Sequence, residues 1–178
     1  HGDAERDRVW HYLPYGPYAS PKALRAWLEE CARIADPLSF TVHDLSRGVR
    51  VGMATFMRVQ PAMRVLELGG IWYGPTAQRT QVNTEAIHLM LCRAFDELNY
   101  RRVEWKCNAL NEPSRRAALR LGFQSEGVFR QPMVVKGRNR DSAWYSMLDR
   151  EWPQVKANQA RWLYEDGSPP LSELNRAG

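Results

Sequence analysis

The chain has 178 residues, of which 44% are hydrophobic and 25% are charged, so it is long enough for one domain with an ordinary core. Its net charge of +5 comes from basic residues spread among 20 acidic ones, which favours a solvated surface over a nucleic-acid-binding face. No apolar run approaches the roughly 20 residues of a membrane span, no signal-peptide pattern opens the chain, and the cysteines and histidines lack metal-ligand spacing. We therefore expect a cytoplasmic protein with no metal, no membrane segment and no nucleic-acid partner.

The first part of the chain predicts an aromatic loop, a helix and three strands. The aromatic loop, residues 10–18, is broken by Pro and Gly, and its apolar surface could line a cleft or cover an edge of the core. Ser20 begins a helix that runs to Ile34. Strands are predicted at residues 40–43, 49–58 and 64–73. Gly69 and Gly70 interrupt the third strand, which indicates a bulge or a close backbone approach.

The second part predicts a mixed sheet with helices packed on it. Its elements are, in order, a long helix at residues 78–98, a strand at 102–107, a short helix from 111, a hairpin of 128–135 and 143–148 around the turn 136–140, a helix at 151–164 and a mobile tail from 165. This order is typical of an α/β (α+β) fold. We expect one domain over residues 1–165 and a C-terminal tail over residues 166–178.

The short helix has well-defined ends. Asn111 can cap it, Glu112 and Pro113 suit its first turn, and Gly122 supplies a left-handed stop. Its electropositive N-terminus, with the hydroxyl of Ser114, suits a polar or anionic ligand. Most capped amphipathic helices bind nothing, however, so the helix alone does not decide the function.

The stretch 111–127 resembles the last cofactor-contacting helix of the GCN5-related N-acetyltransferases, the GNAT superfamily. The element order resembles their fold over about residues 40–148. Within the superfamily, the Asn-x-x-Ser, Leu-Gly-Phe and Glu-Gly motifs, Arg130 and residues 137–145 resemble the ribosomal-protein N-terminal acetyltransferase (Rim-type) branch. The resemblance implies a mostly antiparallel central sheet with a splayed central strand pair. Members usually carry one more strand before the aromatic loop, and its absence here predicts a trimmed N-terminus.

The resemblance also implies acetyl-coenzyme A (acetyl-CoA) as co-substrate, with three contacting segments. The family's phosphate loop, Gln/Arg-x-x-Gly-x-Gly/Ala, falls on residues 78–83, where Gln81 and Asn83 replace the small residues. The splayed strand falls on residues 71–73, and the third segment is the start of the short helix. The implied cofactor contacts are Ile71, Trp72, Tyr73, Gln78, Arg79, Thr80, Gln81, Val82, Asn83, Thr84, Asn111, Ser114 and Arg115.

Amide acetylation needs a base that takes a proton from the acceptor amine. Glu67 is the predicted base, because it lies eleven residues before Gln78, the spacing at which the histone-acetylating members place their glutamate. Strand alternation also turns Glu67 away from its apolar neighbours. An ordinary exposed strand glutamate is the alternative, and Glu104 and Glu126 are fallback bases.

The residues predicted for the leaving group and the oxyanion depart from the commonest family pattern. Many members protonate the thiolate with a tyrosine at the position of Ala118, so Ser114, directly or through water, or solvent takes this role here. A backbone N–H near Trp72 or Tyr73 would hold the oxyanion. An acetyl-cysteine route through Cys107 is conceivable, with inert packing as its alternative.

These features predict an acetyl-CoA-dependent N-acetyltransferase that acts by direct attack on a primary amine, either a protein N-terminus or a small molecule. The aromatic loop would form one wall of the acceptor site, and Asp141 could attract a cationic acceptor or merely close its turn. The alternative is a non-catalytic acyl-CoA-binding sensor or interaction module. A homodimer could be supported by tryptophan-rich surfaces, namely Trp144, Trp152 and Trp162.

Overall fold

In the computed structural model, which describes residues 8–176, six strands form one sheet with helices against it. The elements are, in chain order, α1 (Pro21–Cys31), β1 (Leu38–Asp44), β2 (Val49–Gln60), β3 (Val65–Tyr73), a 3-10 turn (Pro75–Ala77), α2 (Gln81–Cys92), a π-helical turn (Arg93–Glu97), β4 (Arg102–Asn108), α3 (Glu112–Arg120), β5 (Gln124–Val135), β6 (Arg138–Leu148), α4 (Trp152–Tyr164) and α5 (Leu171–Leu174). None of these helices has the length and apolar character needed to cross a membrane.

The sheet order is β1-β2-β3-β4-β6-β5, and every neighbouring pair is antiparallel except β3 with β4. That parallel pair has only three matched positions, ending at Glu67 opposite Glu104. Beyond this point the two strands separate. The predicted mixed, mostly antiparallel sheet with a splayed central pair is therefore confirmed.

The two faces of the sheet differ because side chains alternate along each strand. On β4, Val103, Trp105 and Cys107 are buried in the core, which is shared with α2, α3 and α4. The intervening side chains lie on the opposite face, which we call the charged face and define by Glu67, Arg102, Glu104 and Lys106. Burial of apolar side chains on one face thus leaves a row of ionic groups on the other.

Two predicted helix boundaries differ from those observed. α1 ends at Cys31 rather than Ile34, and the chain then turns so that the Asp36 carboxylate accepts backbone N–H groups at the end of β2. α2 begins at Gln81 rather than Gln78, because a 3-10 turn precedes it and Arg79 has a left-handed φ of 62°. A left-handed residue cannot continue a right-handed helix.

The hairpin and the C-terminal tail also differ from the sequence prediction. The hairpin turn is only Lys136 and Gly137, both with positive φ, as a two-residue type I′ turn requires, so residues 138–142 belong to β6. The prediction of a mobile tail is wrong for the residues around α5. Leu171 is buried in the core, and Asn175 Nδ2 donates to the Arg120 carbonyl at 2.9 Å.

Candidate active site

A bulge in β3 lies just beyond the point where β3 and β4 separate. Between Thr55 opposite Gly69 and Met53 opposite Trp72 the register shifts, and Gly70 takes a left-handed φ of 58°. Thr55 Oγ1 donates to the Gly69 carbonyl at 2.8 Å and holds the bulge in place. The sequence prediction of a bulge at this glycine pair is confirmed.

Residues 71–73 form one side of the opening. Trp72 and Tyr73 pair with β2, and their other edge has no strand partner among residues 8–176. The Tyr73 side chain is buried, which raises the pKa of its hydroxyl well above the usual range. Ile71 packs against the core. An extended ligand could therefore pair with this free strand edge, as a further strand would.

The predicted phosphate loop leads from β3 to the start of α2. Gln78 Nε2 donates to the Tyr73 carbonyl at 3.1 Å, and Thr80 Oγ1 donates to the Ala77 carbonyl at 2.8 Å. Gln81 Nε2 reaches the Leu163 carbonyl at the end of α4, at 2.5 Å. The two side chains that replace the family's small residues thus behave differently. Gln81 is turned toward α4, whereas the buried Oδ1 of Asn83 has no hydrogen-bond partner among residues 8–176.

The other predicted residues of this segment are placed around the first turns of α2. Arg79 and Thr80 are exposed, and Val82 is half-buried. Thr84 is buried, and its Oγ1 accepts a hydrogen bond from Arg120 at 2.9 Å. Burial lowers the pKa of the Arg120 guanidinium, which has no acidic partner in the described part of the chain. Sequence reasoning missed Arg120.

The start of α3 forms the opposite side of the opening. Asn111 Oδ1 accepts the N–H of Ser114 at 3.2 Å, which confirms the predicted cap. The Trp105 indole donates to Ser114 Oγ at 3.0 Å, so the serine hydroxyl is held against β4. Arg115 Nε donates to the Tyr145 hydroxyl at 3.2 Å. Ala118, at the family's tyrosine position, is fully buried in the core.

Cys107, on β4, faces the core and lies beside Ser114 of α3. Its burial raises the pKa of the thiol, and a hydrogen bond with Ser114 only partly opposes this effect. A thiol that resists ionisation is a poor nucleophile. The geometry therefore favours the inert-packing interpretation over an acetyl-cysteine route.

Glu67 lies where β3 and β4 part, and it is buried rather than exposed. Its Oε2 is 3.0 Å from Lys106 Nζ and 3.4 Å from Arg58 Nε. Both are ion pairs by distance, although neither is aligned as a hydrogen bond. Oε1 lies 3.4 Å from the position that a Cβ on Gly69 would take. One carboxylate oxygen is thus held by cations while the other lies beside the bulge.

An ionic chain continues from Lys106 across the charged face. Lys106 Nζ is 2.7 Å from Glu104 Oε2 and 3.7 Å from the centre of the Trp144 ring. Arg102 links the next two carboxylates: its Nε is 2.9 Å from Glu104 Oε1, and its second terminal nitrogen is 2.5 Å from Glu126 Oε2. The hydrogen bond from Arg102 lowers the pKa of Glu126 to about 2, and Lys106 and Arg102 lower the pKa of Glu104 against the opposing effect of burial. Such weakly basic carboxylates are poorly suited to the fallback role of general base.

Acid should destabilise the fold through this chain. Glu104 and Glu126 have lowered folded-state pKa values, so their contribution is complete above the unfolded value of about 4.3 and is lost as the pH falls toward about 2. Because Glu126 is partly exposed, solvent screening limits its share to about 1 kcal/mol. Urea unfolding between about pH 3 and pH 6 would measure the loss. Glu126→Gln should flatten this pH dependence, and an unchanged slope in that variant would contradict the assignment.

The aromatic loop crosses the mouth of the opening. Two of its tyrosines tie it to the two sides of the opening: Tyr15 Oη donates to the Gly70 carbonyl at 3.4 Å, and Tyr12 Oη donates to the Leu110 carbonyl before α3 at 3.0 Å. Lys136 Nζ, from the hairpin turn, donates to the Trp10 carbonyl at 2.9 Å. The Trp10 ring packs edge-on or tilted against four other rings, those of Tyr15, Tyr18, Trp27 and Trp72. The loop therefore covers a core edge and also borders the opening.

The Asp141 carboxylate makes hydrogen bonds that hold the hairpin together. Its Oδ1 accepts the Gln131 backbone N–H at 2.8 Å and Asn139 Nδ2 at 3.0 Å, both within the hairpin. These bonds favour the second of its two predicted roles, closing the hairpin.

The two cations that lie beside Glu67 were not predicted from the sequence. They are Lys106 and Arg58. The alternation of Arg102, Glu104 and Lys106 along one strand was the available signal.

Comparison with known proteins relates this architecture to one group. The profile of the acetyltransferase (GNAT) domain matches residues 3–124. A Bacillus subtilis protein, YdaF, whose name assigns it provisionally to the ribosomal N-acetyltransferases, is 32% identical over 109 residues, 61% of this chain and 59% of YdaF. Escherichia coli ribosomal-protein-serine acetyltransferase is 26% identical over 98 residues, 55% of this chain and 54% of that protein. The chain thus spans little more than half the length of these curated relatives.

Solved structures agree with the sequence comparison. A GCN5-related N-acetyltransferase from Brucella melitensis superposes with a TM-score of 0.91 and 40% identity, covering 97% of this chain and 84% of that one. Spermidine N-acetyltransferase from Vibrio cholerae, solved with CoA and spermine, gives a TM-score of 0.67 at 19% identity, covering 82% and 85% of the two chains. At that identity the second likeness is one of fold alone.

Proposed function

The chain belongs to the GNAT acetyltransferase family, and from that premise we propose that it transfers the acetyl group of acetyl-CoA to a primary amine by direct attack. The acceptor is a protein N-terminus or a small-molecule amine. The observation that carries the proposal is the opening between β3 and β4, where a free strand edge, the start of α2 and the start of α3 converge. The cytoplasmic location and the homodimer stay predictions of the same proposal.

In this proposal the cofactor lies along the opening. The pantetheine arm pairs with the free edge at residues 71–73, and the diphosphate meets the backbone N–H groups at the start of α2, from Gln78 to Thr84. Helix N-termini suit phosphate because their amides point outward and the helix dipole favours negative charge. Turning the Gln81 side chain toward Leu163 supports this arrangement. Asn111, Ser114 and Arg115 contact the arm from the other side.

The proposed chemistry proceeds without an acyl-enzyme. The amine nitrogen attacks the thioester carbon, a backbone N–H near Trp72 or Tyr73 stabilises the oxyanion, and the C–S bond then breaks to release CoA thiolate. Glu67 removes the amine's proton through Oε1, directly or through water. Ser114 or solvent protonates the thiolate. The contact from the Trp105 indole supports the serine's part, because it fixes where the hydroxyl oxygen lies.

Calorimetric titration with acetyl-CoA and with CoA tests the cofactor. We expect micromolar or tighter binding of both, since the diphosphate supplies most of the contacts. Free-thiol release would then be measured with an acceptor panel of small amines and peptides with free N-termini. The relatives named for ribosomal-protein acetylation justify the peptide arm. Tight binding without turnover would favour the alternative, an acyl-CoA-binding sensor, and no binding to the folded chain would contradict both.

A further inference from the structure

Arg140 lies on the charged face of the sheet, close to the predicted base. Lys106 pairs with Trp144 across β4 and β6, so their side chains share one face, and Arg140, four residues before Trp144, lies on the same face. Arg140 lies within electrostatic range of Cys107, Glu67 and Arg58, which act on the pKa of its guanidinium in that order of size. From the sequence, this residue was predicted only to belong to the hairpin turn 136–140.

Arg140 is a cation without a paired anion in the part of the chain that the structure describes. Within residues 8–176 it forms no ion pair, and its Nε is buried without a hydrogen-bond partner. Burial lowers the pKa of its guanidinium, which is the sign of a desolvated charge. The adjacent carboxylate of Asp141 does not compensate it, because that group accepts its hydrogen bonds inside the hairpin.

The charges within the ionic chain around Glu67 already balance one another. Three carboxylates, Glu67, Glu104 and Glu126, are matched by three cations, Arg58, Lys106 and Arg102. Arg140 is therefore a net positive charge beside an otherwise neutral chain. This balance favours an anionic group on a bound ligand and disfavours a polycationic one.

Two other buried donors on the same face lack partners. The indole Nε1 atoms of Trp72 and Trp144 are buried and bond to nothing within the described residues. Trp72 shares its face with Glu67, because the partners of the two residues, Met53 and Met57, are four residues apart on β2. Indole and guanidinium N–H groups donate only. What these groups lack is therefore hydrogen-bond acceptors, such as carboxylate or carbonyl oxygens.

We propose that the amine acceptor carries a carboxylate close to its reacting amine, and that Arg140 binds that carboxylate. The inference rests on the proposed acetyl transfer and narrows its acceptor class. The acceptor's amine faces Glu67, its carboxylate faces Arg140, and its apolar part lies against the aromatic wall of Trp10 and Trp72. A free α-amino acid and a peptide with an acidic residue near its N-terminus share this chemistry.

Steady-state kinetics on matched acceptors separates these sources and tests the residue. The free-acid arm compares phenylalanine with phenylalaninamide, and the peptide arm compares peptides that have aspartate or asparagine as second residue. We expect wild type to prefer the carboxylate member of at least one pair. Arg140→Gln should lower kcat/KM for that member by about 10- to 100-fold and leave its neutral counterpart unchanged. Arg140→Lys should retain part of the preference, since it keeps the charge but not the two-point geometry.

Arg138→Gln is the matched control, because it removes an equal charge from an exposed position of the same strand. Equal losses for both members of a pair, or equal losses in Arg138→Gln and Arg140→Gln, would overturn the proposal. So would an effect confined to the KM for acetyl-CoA, which would place Arg140 at the cofactor. Circular dichroism would confirm that each variant is folded.

A separate readout distinguishes failure of this inference from failure of the proposed function. If wild type releases no thiol with any acceptor, acetyl transfer is wrong, and the carboxylate site is still tested by calorimetry in the presence of CoA with both N-acetylphenylalanine and an N-acetylated peptide that has aspartate as second residue. Binding that is lost in Arg140→Gln but kept in Arg138→Gln would support the site. No binding to wild type would overturn it.

Discussion

Replacement of Glu67 by glutamine is expected to lower turnover by about 10²- to 10⁴-fold while leaving acetyl-CoA affinity within a few-fold of wild type. Glutamine keeps the size of the side chain and loses its capacity to take a proton. The carboxylate sits at the last paired position before the strands separate, and its Oε1 lies beside the bulge at Gly69. The measurement is kcat by free-thiol release, with calorimetry for acetyl-CoA.

The ion pair with Lys106 calls for a matched control. Glu67→Gln also removes one of the two carboxylates that hold Lys106, so a loss of activity could reflect a displaced lysine rather than a lost base. Glu104→Gln removes the other carboxylate and leaves Glu67 in place. If the base hypothesis is right, Glu104→Gln retains most of the activity and Glu67→Gln does not. Equal losses in both variants would assign the effect to the ionic chain and contradict the base hypothesis.

Local signals in the sequence were enough to predict the frame of the site. Asn111 and Gly122 bound α3 because capping and the left-handed stop depend on a few adjacent residues. Gly69 and Gly70 mark the bulge for the same reason, since Gly70 takes a backbone conformation that side chains disfavour. Where a strand must bend and a helix must begin can thus be read from short stretches of chain.

Contacts between side chains on different strands could not be predicted from such local signals. Lys106 meets Glu67 because β3 and β4 pair in parallel in one register, and Trp144 lies under Lys106 because β4 and β6 pair in another. A shift of one residue in either register would reverse the faces. Composition and alternation do not fix a register between strands that are distant in sequence. The cations around Glu67, and Arg140 with them, therefore became visible only in the folded sheet.

The order of the C-terminal segment, residues 165–176, was not predicted for a different reason. Residues 165–176 contain few apolar side chains, and their composition is typical of a mobile segment. One of them, Leu171, is nevertheless buried, and Asn175 satisfies the last carbonyl of α3. A single apolar anchor and one capping amide are enough to fix a short segment when a neighbouring helix end leaves carbonyl groups unpaired. Such an anchor does not stand out in a window of polar residues.

Substitution of Gly70 by alanine is expected to damage both the fold and the cofactor site. Gly70 has a φ of 58°, where an L-residue costs roughly 1–2 kcal/mol, and a Cβ there would lie 2.9 Å from Thr55 Oγ1. Relief of that contact would displace the hydroxyl that holds the Gly69 carbonyl at 2.8 Å. The bulge would then shift, and with it the free edge at residues 71–73. We expect acetyl-CoA affinity to fall by about tenfold or more, which corresponds to about 1.4 kcal/mol.

Gly137→Ala separates backbone strain from the role of the bulge. Gly137 also has a positive φ, of 72°, but a Cβ there would meet no atom within 4 Å, and it lies in the hairpin turn rather than in β3. It should therefore lose stability by the left-handed cost alone and bind acetyl-CoA as wild type does. Urea unfolding and calorimetry on both variants make the comparison. If Gly70→Ala binds acetyl-CoA normally despite its lower stability, the bulge is needed for folding only, and residues 71–73 do not form the edge that receives the cofactor.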